Sequence, residues 1–225
     1  MKFFNRFKSK ASSWTDKGLT LQDVEKHEEA LIAFNKALEI DPEYLSALYN
    51  KGRTLLIIDN YHDALECFDK ALKLDPNFVL AWLNKGVALD QLKNFENALR
   101  CYDKALEIDS EDASAWQNKG CELINLDRYH DALECFDKAL EIDSEEVSAW
   151  HNKGIVLEYF EKYQDALRCY DKALEIDSEH FTTLYNKAGL LEKLGQKTEA
   201  LECYDKAFKL NPELKNIIKS KKEIL

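Results

Sequence analysis

Large apolar residues along the chain fall mostly three, four or seven positions apart, in two successive runs, and the doubled pattern returns every 34 residues. The stretch 79–112 shows it plainly, with Trp82, Leu89 and Leu92 followed by Phe95, Leu99, Tyr102, Leu106 and Ile108. This is helical spacing. Each unit therefore predicts two antiparallel helices, A and B, joined by a tight turn. With the frame set to begin at Ala11, six units span 11–44, 45–78, 79–112, 113–146, 147–180 and 181–214.

Certain offsets hardly vary. The fourth position reads Trp14, Leu48, Trp82, Trp116, Trp150 and Leu184, and the eighth reads Gly18, Gly52, Gly86, Gly120, Gly154 and Ala188. The twentieth is always alanine (Ala30, Ala64, Ala98, Ala132, Ala166, Ala200). An aromatic follows four residues later (Phe34, Phe68, Tyr102, Phe136, Tyr170, Tyr204), and another alanine three beyond that. Glycine costs about 1 kcal/mol relative to alanine inside a helix, so its recurrence at one offset signals helices in close approach.

The pattern resembles the tetratricopeptide repeat, whose Trp, Gly, Ala, aromatic, Ala and Pro positions all have counterparts over residues 11–214. Two features depart from it. Lys17, Lys51, Lys85, Lys119, Lys153 and Lys187 stand where the family often has leucine, and Ser110, Ser144 and Ser178 replace the terminal proline. The resemblance implies an all-α, right-handed superhelical solenoid of six antiparallel hairpins, a class of protein that binds rather than catalyses.

A lone hairpin cannot bury both faces, so the units stack into one array with no internal boundary expected. Residues 215–225 continue the frame with Ile218 and Leu225 and read as a C-terminal capping helix. Between units, Asp41-Pro42, Asp75-Pro76 and Asn211-Pro212 offer an N-cap oxygen followed by a residue suited to a first helical turn. Ser110, Ser144 and Ser178 would cap where proline is absent.

Charge narrows the partners. The formal net charge is −11, yet residues 1–10 carry Lys2, Arg6, Lys8 and Lys10, and 215–225 are also basic. The repeat body is thus strongly acidic and repels phosphate, which argues against nucleic acid. The basic leader 1–10, with Phe3, Phe4 and Phe7, reads as a frayed end, a cover for Trp14 and Leu19, or a segment that touches an anionic lipid surface or an acidic partner. No transmembrane run or secretory leader is apparent, so a cytoplasmic protein is expected. Cys67, Cys101, Cys135, Cys169 and Cys203 share the twenty-third position on successive helices B. Neighbouring helix axes lie about 8 to 10 Å apart, beyond the roughly 7 Å Cα limit for a disulfide, so these cysteines read as buried small hydrophobes. No metal-ligand spacing and no cofactor motif is present.

Helix B is nearly duplicated along the chain: YHDALECFDKAL occurs at 61–72 and 129–140, and ALRCYDKALEIDSE at 98–111 and 166–179. Helix A varies instead. Its fifth position runs Thr15, Tyr49, Leu83, Gln117, His151, Tyr185, and its ninth runs Leu19, Arg53, Val87, Cys121, Ile155, Gly189. In the family that these repeats resemble, helix A lines a concave peptide-binding groove, which places the chain's individuality there. Asn50, Asn84, Asn118, Asn152 and Asn186 occupy the sixth position, and a carboxamide offers both donor and acceptor to an extended backbone. The resulting ladder is a candidate contact with peptide; its alternative is hydrogen bonding between helices. Tyr49, Leu56, Ile57, Leu83, Val87, Ile124, Ile155, Tyr159 and Tyr185 would add apolar patches. Asp16, Asp23, Asp90, Glu158 and Glu192 outnumber Arg53 and Lys193 on this face, which favours a neutral or mildly basic ligand. Relatives that clamp chaperone C-terminal carboxylates use Lys, Asn and Arg where this chain has Thr15, Leu19, Leu80 and Asn84, so that role is not expected.

Catalysis finds no constellation. His62 and His130 fall at the A/B turn, His27 replaces an aromatic, His180 lies between units, and only His151 is expected to face the groove. The Asp69, Asp103, Asp137, Asp171 and Asp205 series, each followed by lysine, reads as a solvated face. The sequence thus points to a non-enzymatic scaffold that binds extended peptide segments of partner proteins. The competing reading is a structural subunit that self-associates or assembles through its ends or convex face.

Overall fold

A computed structural model describes residues 2–211, and its helices follow the frame of the repeat. They are α1 (Lys2–Asp23), α2 (His27–Ile40), α3 (Leu45–Ile57), α4 (Tyr61–Leu74), α5 (Val79–Gln91), α6 (Phe95–Ile108), α7 (Ala113–Asn125), α8 (Tyr129–Ile142), α9 (Val147–Tyr159), α10 (Tyr163–Ile176), α11 (Phe181–Lys193) and α12 (Lys197–Leu210). No strand occurs among the described residues. Helix α1 takes in the segment read from the sequence as a basic leader. The expected capping helix at 215–225 lies outside the described residues.

Contacts divide the chain into two compact units, 1–111 and 112–225, where the sequence suggested a single array. In the first unit, hairpins α1–α2, α3–α4 and α5–α6 stack through α2 on α3 and α4 on α5, and the A helices α1, α3 and α5 touch in series. The second unit repeats this plan with α7–α8, α9–α10 and α11–α12, its A helices α7, α9 and α11 again in series.

Steric fit explains the invariant offsets. A Cβ built on Gly120 would stand 2.6 Å from Cε1 of Phe136, and one on Gly86 would stand 2.5 Å from Cε1 of Tyr102, so the aromatic of helix B occupies the space that a side chain would need. The alanines at the twentieth and twenty-seventh positions, such as Ala98 and Ala105, are fully buried and let the B helix lie close to its neighbours. Unit six carries Ala188 at the eighth position, wholly buried beside Tyr204 in the same small cluster, so this hairpin accommodates the extra carbon.

The A/B turn holds a feature the sequence hid. Glu25, Asp59, Lys93, Asp127 and Glu161 all adopt positive φ, between 57° and 61°, and Gly195 takes the sixth equivalent place at 77°. A left-handed residue here closes the end of helix A, as when Asn60 N–H donates to Leu55 O at 2.8 Å. Five of the six turns thus use a non-glycine residue where glycine would be least strained.

The expected caps between units are not helix starts. Asp41 and Asp75 follow the last residues of α2 and α4, and their Oδ1 atoms accept from the N–H groups of Glu43 (3.2 Å) and Asn77 (3.0 Å) in Asx turns. Asp143 and Asp177 repeat the motif toward Glu145 and Glu179. Helix A begins only after the turn, at Leu45 and Val79, so the prolines sit inside the turn rather than at a first helical position. The serine expected to cap instead lends its carbonyl: Trp150 Nε1 donates to Ser144 O at 2.9 Å, as Trp82 Nε1 does to Pro76 O.

The position-seven lysines account for the departure from leucine. Lys85 lies 2.6 Å from Asp69, Lys153 lies 2.6 Å from Asp137, and Lys187 pairs with Asp171, each joining a helix A to the helix B before it. The lysine ammonium groups also lie over tryptophan rings, Lys85 Nζ 5.3 Å from the Trp82 centroid and Lys153 Nζ 5.4 Å from that of Trp150. These lysine side chains keep only 22 to 23% of their exposure against 47 to 51% for their partners, so Asp69, Asp137 and Asp171 sit on the solvated face expected and also tether one hairpin to the next. Cys67, Cys101, Cys135 and Cys169 are buried free thiols; Cys203 is half-buried. Burial raises the pKa of the Cys101 and Cys169 thiols to about 11.

Candidate functional site

Residues expected to recognise a partner lie along the A helices, whose buried stripe packs on helix B while the fifth, sixth, ninth and twelfth positions form one edge. In the first unit Tyr49 anchors this edge. Its ring packs against Phe78 at 4.8 Å between centroids, the Arg53 guanidinium lies 5.8 Å above it, and its hydroxyl accepts from Asn84 Nδ2 at 3.2 Å. Burial raises the Tyr49 pKa, opposed by the nearby Arg53 charge, so the phenol stays protonated. Val87 and Leu56 are half-buried, while Ile57 and Leu80 keep 51% and 49% of their surface exposed. The face of α3 and α5 is therefore largely apolar and carries Arg53, exposed, and Asp90, half-buried.

Several expected face residues turn inward. Leu83 is buried in α5, and Thr15 is buried in α1, its hydroxyl donating to Ala11 O at 2.9 Å. The asparagines divide. Asn50 is buried and donates to Ser46 O (2.8 Å), Asn84 donates to Leu80 O (2.7 Å) as well as to Tyr49, and Asn152 reaches Cys121 Sγ at 3.2 Å. Asn118 and Asn186 are half-buried. Carboxamide donors at Asn50 and Asn84 are thus spent on the carbonyl four residues back in the same helix.

In the second unit, Gln117 Nε2 also approaches Cys121 Sγ, at 3.3 Å, while Ile155 and Tyr185 are half-buried. Tyr185 packs edge-on to Tyr204 with centroids 5.7 Å apart. His151, expected to face the groove, is instead buried at 9% exposure. Its Nδ1 lies 2.8 Å from Thr183 Oγ1, and His180 Nδ1 lies 2.6 Å from the same oxygen. Thr183 has a single hydroxyl proton, so it can donate to only one of the two rings and accepts from the other. Burial, aided by the charge of His180, lowers the His151 pKa from 6.5 to about 4. The ring is turned inward because position three of the next unit is Thr183 where four of the other units have Ala47, Ala81, Ala115 and Ala149; the threonine supplies the polar partner that a buried imidazole needs.

A second relationship ties core to face. Tyr170 OH donates to Glu158 Oε2 at 3.2 Å, and Tyr204 OH donates to Glu192 Oε2 at 3.0 Å. Burial raises both phenol pKa values, and the adjacent carboxylates raise them further, so the hydroxyls remain donors. The sequence carried a signal for this that position-by-position reading missed. Units with Tyr102, Tyr170 and Tyr204 have Asp90, Glu158 and Glu192 at the twelfth position, whereas units with Phe34, Phe68 and Phe136 have Gln22, Leu56 and Ile124.

Between α9 and α11 the edge opens into a pocket of about 450 Å³, lined by Ile155, Glu158, Tyr159, Tyr170, Asn186 and Lys193 among others. Tyr159 is 59% exposed and stacks on Tyr129, centroids 3.8 Å apart and planes 19° from parallel. A larger pocket of about 590 Å³ lies elsewhere in the first unit, where Trp82, Lys85 and Leu89 of α5 meet Asp69 of α4 and Arg100 of α6. Among the described residues no group of three His, Cys, Asp or Glu is placed to hold a metal ion, and no helix is long and apolar enough to cross a membrane.

Models of the tetratricopeptide repeat match residues 11–44, 46–78, 79–112 and 113–146, and a second model of the same repeat matches 145–213. No curated protein sequence matches the chain. Among solved structures, PilF of Pseudomonas aeruginosa is 21% identical, with 92% of this chain and 94% of that one covered at a TM-score of 0.80. YrrB, a tetratricopeptide repeat protein with an unusual peptide-binding site, is 26% identical over 84% of this chain and 98% of its own, at a TM-score of 0.63. TTC0263 of Thermus thermophilus is 20% identical over 81% and 99%, at a TM-score of 0.66. Offsets, packing and model matches agree from Ala11 onward: the chain belongs to the tetratricopeptide repeat family, with its all-α repeat fold and general role as a protein-interaction scaffold.

Proposed function

We propose that the chain binds extended peptide segments of partner proteins along its A helices. The observation that carries this reading is the contrast between helices: B helices recur almost unchanged, while half-exposed positions nine and twelve of the A helices change chemistry from unit to unit. A surface that differs where the scaffold is constant is where selection among partners has room to act. Apolar and aromatic exposure at Ile57, Leu80 and Tyr159 supports the reading, since such patches mark interaction sites. The peptide-binding site named for YrrB supports it by family likeness. Half-buried Asn118 and Asn186 would pair with peptide backbone; Asn84 and Asn152 would contribute their oxygens. The segment bound by α3 and α5 would be apolar and neutral, that bound by α9 and α11 mildly basic.

The test replaces Asn84, Asn118 and Asn152 together by alanine. Binding of a partner captured by the native chain should weaken by one to three orders of magnitude, at about 0.5 to 1.5 kcal/mol per lost contact, with little change in melting temperature. Binding that survives this change and is lost on deleting 1–10 or 215–225 would favour assembly through the ends instead.

A further inference from the structure

The pocket between α9 and α11 has a more specific chemistry than a generic peptide edge, and we propose that it takes an arginine side chain of the bound peptide, an assignment that rests on the peptide-binding reading above. Tyr159 offers a flat, exposed ring whose other side is shelved on Tyr129, itself anchored by a hydroxyl bond to Asp127 Oδ1 at 3.0 Å. Glu158 lies beside it with one carboxylate oxygen held by Tyr170 OH, so its aim is fixed from the core. Glu161 adds a second anion at the rim.

The cation of the pocket is already engaged. Lys193 lies over the Tyr163 ring at 4.5 Å, and its hydrogen bond to Tyr163, together with the charges of Glu158 and Glu161, raises its pKa, so it stays a permanent charge that offsets only one of the two glutamates. No cation comes within ion-pair distance of Glu158 or Glu161 among the described residues. One lysine against two glutamates leaves an anionic excess beside an exposed aromatic face. A planar guanidinium satisfies both features at once, stacking on Tyr159 while its forked N–H groups meet Glu158; an ammonium cannot stack. The half-buried Asn186 carboxamide on α11 lies within the same pocket and is placed to meet the backbone that carries the side chain. At the same positions α3, the middle A helix of the first unit, has Arg53, Leu56 and Ile57, so the anionic pocket is not repeated there.

The probe is a short Gly/Ser/Ala peptide with one central arginine, titrated into the isotope-labelled full chain and followed by NMR, beside its citrulline counterpart and N-acetylarginine amide. Amides of Ile155, Glu158, Tyr159 and Asn186 should shift with the arginine peptide, and the citrulline peptide should bind at least tenfold more weakly. Glu158→Gln with Glu161→Gln, and separately Tyr159→Ala, should each remove most of that difference while the melting temperature holds. Equal binding of arginine and citrulline peptides at these residues would sink the arginine pocket but leave peptide binding standing. Shifts confined to α10 and α12 would overturn both. Binding of N-acetylarginine amide as tight as the peptide's would make the pocket a small-molecule site and also overturn the proposal.

Discussion

Cε1 of Phe136 lies 2.6 Å from the point where a β-carbon on Gly120 would stand, so the helix B aromatic and the helix A glycine fill one another's space. Gly120→Leu should therefore destabilise the second unit by about 1 to 3 kcal/mol through overpacking. Urea unfolding measures the loss, and hydrogen exchange should place it in α7 and α8. A mutant as stable as its parent would refute the close approach.

Acid should loosen the same unit by a different route. The unfolded chain takes up a proton on His151 near pH 6.5, while the folded ring resists until about pH 4. The folded state then binds fewer protons across that window, so stability is intact above pH 6.5 and falls as the pH drops toward 4. The size is on the order of 2 to 3 kcal/mol. His151→Gln should flatten this slope in denaturation curves taken between pH 7 and 4; an unchanged slope would mean that another group governs it.

Lys93 has positive φ with no local hydrogen-bonding side chain to favour it, unlike Asp59 and Asp127, which accept from Tyr61 OH and Tyr129 OH. Lys93→Gly should raise the stability of the first unit by about 0.5 to 1 kcal/mol, the relief of left-handed strain exceeding the entropy cost of glycine. Thermal unfolding gives the sign directly.

Cys67, Cys101, Cys135 and Cys169 should react with Ellman's reagent at pH 8 only when the protein unfolds, because the thiols are buried. The high pKa of Cys101 and Cys169 keeps thiolate scarce there as well. Half-buried Cys121 and Cys203 should account for the fast phase. Rapid labelling of all six would contradict the packing of helix B.

What the sequence made legible is whatever sterics repeat. Gly86 against Tyr102 or Ala98 in the B-helix core recurs at one offset because every unit meets the same collision, and the helix pattern followed from it. The Asp-Pro turns were less legible because aspartate followed by proline suits a helix start and an Asx turn equally; Asp41 takes the second role because α2 runs to Ile40 before it. The left-handed A/B turn left no trace, since only Gly195 marks it. On the candidate face, register alone put His151 outside. Its burial depends on Thr183, thirty-two residues away, and shows only when two departures from the repeat are read together.

The hydroxyl of Tyr170 has a bearing on engineering. A designer who transplants the α9 surface onto an idealised hairpin with phenylalanine in helix B would carry over Glu158 and Tyr159 but lose the donor that fixes the carboxylate. The graft would have the right letters with a loose side chain among them. Exchanging specificity between hairpins of this chain therefore means moving the A helix and its B-helix aromatic as one cassette.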